Sequence, residues 1–207
     1  MMPPEAGCDV AAVLLAGGQS RRMGGGDKCL RSLGGRPLLA HVVERIAPQV
    51  DHLFLNANGD PSRFAGFDLP VVADVVPDFA GPLAGILTGL EWARDHVSGC
   101  CWLVSVPTDC PFLPRDLVAR LRAAVSGGAR LASVTSGGQT HPVVGLWPLD
   151  IAADLRHALI DEGEHKIDRF TARYAVRLVD WPAVAIDPFF NANRPEDMAA
   201  AERLLVG

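Results

Sequence analysis

Seven short apolar runs punctuate this chain, at about residues 10–16, 52–57, 70–74, 101–106, 131–135, 142–147 and 176–180, with amphipathic stretches between most of them. That alternation constrains the fold more than any other feature. Strand-length runs separated by helix-length stretches are the mark of βα units around a mostly parallel sheet with helices over its faces. The fold class expected is α/β, a Rossmann-like three-layer α/β/α sandwich with a late antiparallel addition. The addition is read from Ser136-Gly137-Gly138-Gln139, a turn between two β-type runs that fits a hairpin or an added edge strand. Pro37 is expected to open a helix carrying Leu38, Leu39, Val42, Val43 and Ile46, with Pro48 ending it. Pro82 opens a second helix, a third runs from about Pro114 to Val125, and the last begins near Pro195. Without an internal repeat or a linker-like change of composition, residues 1–207 are read as one domain.

Composition narrows the partners. The formal net charge of −5 disfavours nucleic acid and anionic membranes, because the overall field repels both. No apolar run reaches the length of a membrane span, and Met1-Met2-Pro3-Pro4-Glu5 lacks the basic start and apolar middle of a signal peptide. The five cysteines are odd in number and show no C-x-x-C spacing, so neither a disulfide framework nor a zinc site is expected. Cys100 and Cys101 read as small buried hydrophobes, and a reducing cytoplasm fits the set.

Residues 13–28 carry the chemistry. The apolar run stops at Gly17-Gly18, and Q-S-R-R-M-G-G-G-D-K follows. Glycines let backbone N–H groups approach phosphate oxygens, while Arg21, Arg22 and Lys28 supply cations for a polyphosphate. Lys28 follows Asp27 and precedes Cys29, which excludes a Walker A loop, and G-x-G-x-x-G is absent. A second acidic signal comes from Pro107-Thr108-Asp109-Cys110-Pro111, directly after the apolar run at 102–106. In an α/β sheet ligands bind beyond the carboxyl ends of the strands, so Asp109 is a candidate metal ligand at a phosphate site. Asn56-Ala57-Asn58 and Asp74 end two further runs at the same edge. His157, Glu162, Glu164, His165 and Lys166 read as a solvated face.

The glycine loop L-A-G-G-Q-S-R-R-M-G-G-G-D-K resembles the L-A-G-G-x-S-x-R-M-G-x-x-K signature of nucleotidyltransferases acting on nucleoside triphosphates, and its R-R-M-G-G-G-D-K end is most similar to the molybdenum cofactor guanylyltransferases. The segments G-P-L-A-G at 81–85, P-x-D-x-P around Asp109, His141-Pro142 and N-x-N-x-P-E from Asn191 follow in the same order. The resemblance implies a fold like that of the nucleotide-diphospho-sugar transferases. It also implies transfer of GMP from GTP to the terminal phosphate of molybdenum-loaded molybdopterin, with release of pyrophosphate. Lys28, Arg22 and Asp109 would be catalytic, Asp109 holding Mg²⁺ with Mn²⁺ as a substitute and Asp187 as the next candidate ligand. Leu15, Ala16, Gly17, Gly18, Lys28, Asn56, Asp74, Gly81 and Asp109 would contact the nucleotide. His141, Asn191 and Asn193 would face the molybdopterin, although Asn193 also reads as a helix N-cap with Glu196 three residues on. No general base is needed, since a phosphate monoester is already an anion at neutral pH.

Two other functions stay open on these residues: a cytidylyltransferase using CTP, and a non-catalytic carrier of GTP or molybdopterin. The expected partners are small molecules, with transient contacts to proteins that deliver molybdopterin and to client molybdoenzymes. The chain is expected to be a cytoplasmic monomer. Cys110 stands where threonine is expected in many relatives, putting a thiol beside the candidate metal ligand.

Overall fold

Val10 to Leu14 are apolar at every position because the strand they form is buried on both faces. β1 (Asp9–Leu15) lies between β4 (His52–Asn56) and β6 (Cys100–Pro107), parallel to both. Val10, Ala12 and Leu14 point to one side, into a core with Leu39, Val42 and Ile46 of α1 (Leu38–Ile46) and Leu117 and Leu121 of α3 (Leu117–Ser126). Ala11 and Val13 point to the other, against Leu83, Ile86 and Leu90 of α2 (Pro82–His96) and Leu155 of α4 (Ala152–Ile160). The period-2 alternation of a strand thus feeds two helical layers. These relations come from a computed structural model that describes residues 8–17, 27–77, 81–183 and 186–206.

The main sheet has seven strands in the order β5-β4-β1-β6-β8-β7-β9, where β5 is Val71–Val72, β7 is Leu131–Ser136, β8 is Gln139–Pro148 and β9 is Val176–Trp181. Six strands run one way and β8 runs against them, since it is antiparallel to both β6 and β7 while β9 is parallel to β7. Gly137 and Gly138 have φ of 54° and 77°, the left-handed pair a two-residue hairpin turn requires. The antiparallel element is therefore a hairpin whose second strand is inserted inside the sheet rather than added at its edge. This insertion matters for the site. Ser105 pairs with Gly145, and continuing that register brings the start of β8 level with the loop after β6.

Several boundaries differ from expectation. Pro37 precedes α1 because Arg36–Pro37 forms β3 and pairs with β2 (Ser32–Leu33). α3 starts at Leu117, not Pro114, and the Asp116 carboxylate that precedes it accepts the Trp181 indole N–H at 3.3 Å. α4, the short α5 (Ile167–Thr171) and the two-residue β2 and β3 were not anticipated. α6 (Pro195–Val206) begins where expected. None of the described helices is long and apolar enough to cross a membrane.

The cysteine expectation is corrected as well. Cys8 and Cys101 form a disulfide across 93 residues of sequence, with Cα atoms 5.6 Å apart. The cause lies in the register. Asp9 pairs with Cys100 but Val10 pairs with Trp102, so Cys101 is the extra residue of a β-bulge beside the start of β1. Cys100 and Cys101 are both only half-buried. Cysteine usage therefore gives no argument for a reducing compartment.

Candidate active site

The carboxyl ends of β1, β4 and β6 and the start of β8 open onto one cavity of about 1180 Å³. Its walls divide along the sheet. Leu15, Gly17, Asn56, Asn58 and Asp74 line the side of β1, β4 and β5, completed by Gly81 and Gly85 at the start of α2. Thr140, His141 and Val143 of β8, with Phe189 and Asn191, line the other. Asp109 and Cys110 lie between the two halves.

Lys28 meets Asp109 at that seam. Its Nζ is 2.5 Å from Asp109 Oδ2 and 3.2 Å from Asn191 Oδ1, and it also donates to Asn193 Oδ1. The pair is largely shielded, with side-chain exposures of 12% and 18%. Elements distant in sequence are locked together here: the loop after β1, the loop after β6 and the segment before α6. The Ala192 N–H donates to the Asp109 carbonyl at 2.9 Å, which fixes the last of these against the second. Asn193 is not the cap it was read to be. α6 starts at Pro195, so Arg194 and not Asn193 is the residue before the helix; Asp197 Oδ2 accepts the backbone N–H groups of Asn193 and Arg194, at 3.0 and 2.8 Å, and the Asn193 amide oxygen accepts from Lys28.

On the β4 side, Asp74 is held from two directions. Asn56 Nδ2 donates to its Oδ1 at 2.9 Å and Asn58 Nδ2 to its Oδ2 at 2.7 Å, while the Asp74 N–H donates to Asn58 Oδ1 at 2.9 Å. β5 ends at Val72, so Asp74 stands beyond the strand rather than at its tip, and these amides fix it. A Cβ on Gly85 would come within 2.4 Å of Asn56 Oδ1 and 2.7 Å of Leu15 Cδ2. Glycine there lets α2 close over both residues. Gly81 precedes α2 with φ of 147°. Ala16 is 5% exposed, with its N–H donated to the Asn56 carbonyl at 2.9 Å, and the Leu15 carbonyl accepts from Thr108 Oγ1 at 3.1 Å.

Cys110 is 2% exposed and approaches Asp109 Oδ1 at 3.9 Å and the Phe189 carbonyl at 3.6 Å. Burial first, and then the negative charge of Asp109, push its thiol well up, so it stays protonated and acts as a weak donor. Cys29, next to Lys28, is likewise pushed up to about 11 by burial and then by Asp27. Neither is a nucleophile. His141 and Asn191 both line the cavity. Asp187 does not join Lys28: its Oδ1 accepts from Ser136 Oγ at 2.7 Å and from the Phe189 N–H at 2.9 Å. Gly18, Arg21 and Arg22 lie outside the described residues. Asn58, Thr140, Phe189 and Arg63, whose Nε lies 2.6 Å from Asp27 Oδ2, belong to the site or its support and were not foreseen. Asn58 alone carried a signal, as the second amide in N-A-N.

With this geometry in view, similarity to known proteins becomes specific. The profile of the MobA-like NTP transferase domain matches residues 12–177. A molybdenum cofactor guanylyltransferase from Bradyrhizobium sp. is 61% identical over 196 residues, covering 94% of this chain and 92% of that protein. The chain belongs to the molybdenum cofactor guanylyltransferase family. Another member, from Rhodopseudomonas palustris, is 57% identical over 194 residues, covering 93% of this chain and 92% of its own length. Among solved structures, molybdopterin-guanine dinucleotide biosynthesis protein A from Archaeoglobus fulgidus superposes with a TM-score of 0.72 at 23% identity, covering 95% of this chain and 98% of the other. A 4-diphosphocytidyl-2C-methyl-D-erythritol synthase from Anaerococcus prevotii gives 0.75 at 12%, covering 97% of each. At such identities the two likenesses concern the fold, which is the expected α/β nucleotidyltransferase architecture.

Proposed function

We propose that this nucleotidyltransferase moves GMP from GTP to the terminal phosphate of molybdenum-loaded molybdopterin, forming a guanine dinucleotide cofactor and pyrophosphate. The observation that carries the reading is the Lys28–Asp109 pair at the seam of a two-sided cavity. Relatives at 57–61% identity bear the matching name. GTP would lie on the side of Leu15, Asn56, Asp74 and Gly81, and the acceptor on the side of His141 and Asn191. An oxygen of the acceptor phosphate attacks the α-phosphorus, the bond from that phosphorus to the β-phosphate bridging oxygen breaks, and pyrophosphate leaves. Lys28 would exchange its carboxylate and amide partners for phosphate oxygens and stabilise the charge gathering on the leaving group. Arg22 would add a second cation from the glycine loop.

Residues at the seam suit Mg²⁺, with Mn²⁺ as a substitute. Asp109, Asn191 and Asn193 direct oxygens to one point, the donor type a hard cation takes. Among the described residues no trio of His, Cys, Asp or Glu gathers as a metal cage, so Asp109 would hold the ion together with phosphate oxygens. When bound, Mg²⁺ would offset the charge of the triphosphate and of the departing pyrophosphate. A carrier needs no such pair, and the shielded contact of Lys28 with Asp109 favours an enzyme.

Pyrophosphate release with molybdopterin, Mg²⁺ and each nucleoside triphosphate tests the reading. Release with GTP is expected. Release with CTP alone would assign a cytidylyltransferase, and nucleotide binding with no release would assign a carrier.

A further inference from the structure

Three side chains beside the acceptor half of the cavity form a directed relay. Ser136, at the end of β7, is 1% exposed. Its Oγ lies 2.7 Å from Asp187 Oδ1 and 2.7 Å from His141 Nε2. A serine hydroxyl has one proton and an ionised carboxylate has none to give, so the hydroxyl proton must point to Asp187. The same Asp187 oxygen also accepts the Phe189 N–H at 2.9 Å, which is consistent with a charged acceptor. Ser136 Oγ can then face His141 only through a lone pair. Nε2 must carry the hydrogen.

This order, acid to hydroxyl to imidazole, cannot activate the serine, since the ring donates to it rather than withdrawing its proton. What it fixes is the other nitrogen. A neutral ring protonated on Nε2 has a bare lone pair on Nδ1. Among the described residues no group hydrogen-bonds Nδ1, and His141 lines the cavity. The ring is also held in place by its neighbours: its centroid lies 5.1 Å from that of Phe189, which in turn meets Trp181 edge-on at 5.5 Å.

We propose that Ser136 and Asp187 are positioning residues that hold His141 as the Nε2–H tautomer, so that Nδ1 accepts a hydrogen bond from an N–H or O–H donor of the acceptor substrate. The inference rests on the acceptor binding in this half of the cavity, and it assigns the site a preference for a donor-bearing heterocycle or hydroxyl over an anionic or purely accepting group. An ionised oxygen facing Nδ1 would meet lone pair with lone pair.

The test has a spectroscopic arm and a kinetic arm. In protein labelled with ¹⁵N histidine at about pH 8, where an ordinary imidazole is neutral, His141 should show a protonated, hydrogen-bonded Nε2 and an unprotonated Nδ1. Ser136→Ala should bring that Nε2 proton into fast exchange with water. A wild-type ring protonated on Nδ1 overturns the proposal. This arm needs no substrate, so it stands or falls separately from the proposed transferase activity. In steady-state kinetics, His141→Gln keeps a polar atom near Nε2 and loses the acceptor at Nδ1, whereas His141→Asn keeps an atom at the Nδ1 position. The KM for the acceptor should rise about ten-fold in His141→Gln and recover most of that in His141→Asn, with the KM for GTP within two-fold of wild type in both. An unchanged acceptor KM in His141→Gln, or a loss confined to GTP, overturns it. Thermal melts near wild type for both variants are the control for folding.

Discussion

Three side-chain oxygens meet the Lys28 ammonium, and on the proposed reading each is displaced or shared when a triphosphate arrives. The lysine is thereby held at the seam before substrate binds, which lowers the ordering that binding must supply. If its charge acts on the leaving pyrophosphate, Lys28→Ala should lower turnover at least ten-fold, since such contacts are worth about 2–4 kcal/mol in the transition state. Lys28→Arg should recover part of it, because guanidinium keeps the charge but is broader and flatter. Normal turnover of Lys28→Ala at saturating GTP would confine the residue to ground-state binding. If Asp109 holds Mg²⁺ as proposed, Asp109→Ala should abolish Mg²⁺-dependent pyrophosphate release and melt near wild type, as its side chain stands in a loop rather than in the core. Retained turnover at ordinary Mg²⁺ would mean that another carboxylate holds the ion. The sequence made both residues candidates because their signal is local, a cation after glycines and an acid after a buried strand. Asn193 was misread for the converse reason. Whether an amide caps a helix or reaches a lysine 165 residues away is decided by tertiary contact, here by Lys28 donating to the Asn193 side-chain oxygen.

At the scale of elements, the site depends on a strut outside it. Arg63, in the 3-10 segment Pro61–Phe67, pairs with Asp27 at 2.6 Å and donates to the carbonyls of Asn58 at 2.5 Å and Asp60 at 2.8 Å. It joins the segment bearing Lys28 to the loop whose Asn58 clamps Asp74. Arg63→Ala should therefore raise the KM for GTP several-fold with a smaller effect on the acceptor, and Arg63→Lys should restore little, since one ammonium cannot span three partners. Equal losses for both substrates would show a general loosening instead. Nothing near Arg63 in sequence announced this, because its partners lie on two loops that only the fold brings together. Long elements were legible and short ones were not. β1 shows an unbroken apolar run from Val10 to Leu15, and in β6 the run is broken only by the buried Ser105. The two-residue β2 and β3 owe their pairing to the turn at Gly34 and Gly35, both in the left-handed region, rather than to their own propensity.

For the whole molecule, the topology was legible in its βα half and ambiguous in the rest. A hairpin reads the same in sequence whether its second strand lies at an edge or is inserted next to β6. Insertion is what puts His141 at the ligand edge, since an antiparallel strand begins where its parallel neighbours end. The opposite edge carries the Cys8–Cys101 disulfide, and the two ends of the sheet should behave independently. Cys101 is eight residues before Asp109, which along an extended strand is about 25 Å. Closing a loop of 93 residues' separation restricts the unfolded chain, by up to about 4–5 kcal/mol on a chain-entropy estimate. Reduction should thus lower the melting midpoint by about 5–15 °C for a chain of this size. Cys8→Ser should melt like the reduced wild type and be insensitive to reductant. Turnover at room temperature should be the same in all three, because neither sulfur touches the cavity and the reduced protein remains folded there. A fall in turnover that tracks reduction while the midpoint stays fixed would show that the bulge beside β1 is coupled to the cavity through the strand, and the two edges would then have to be treated as one mechanical unit.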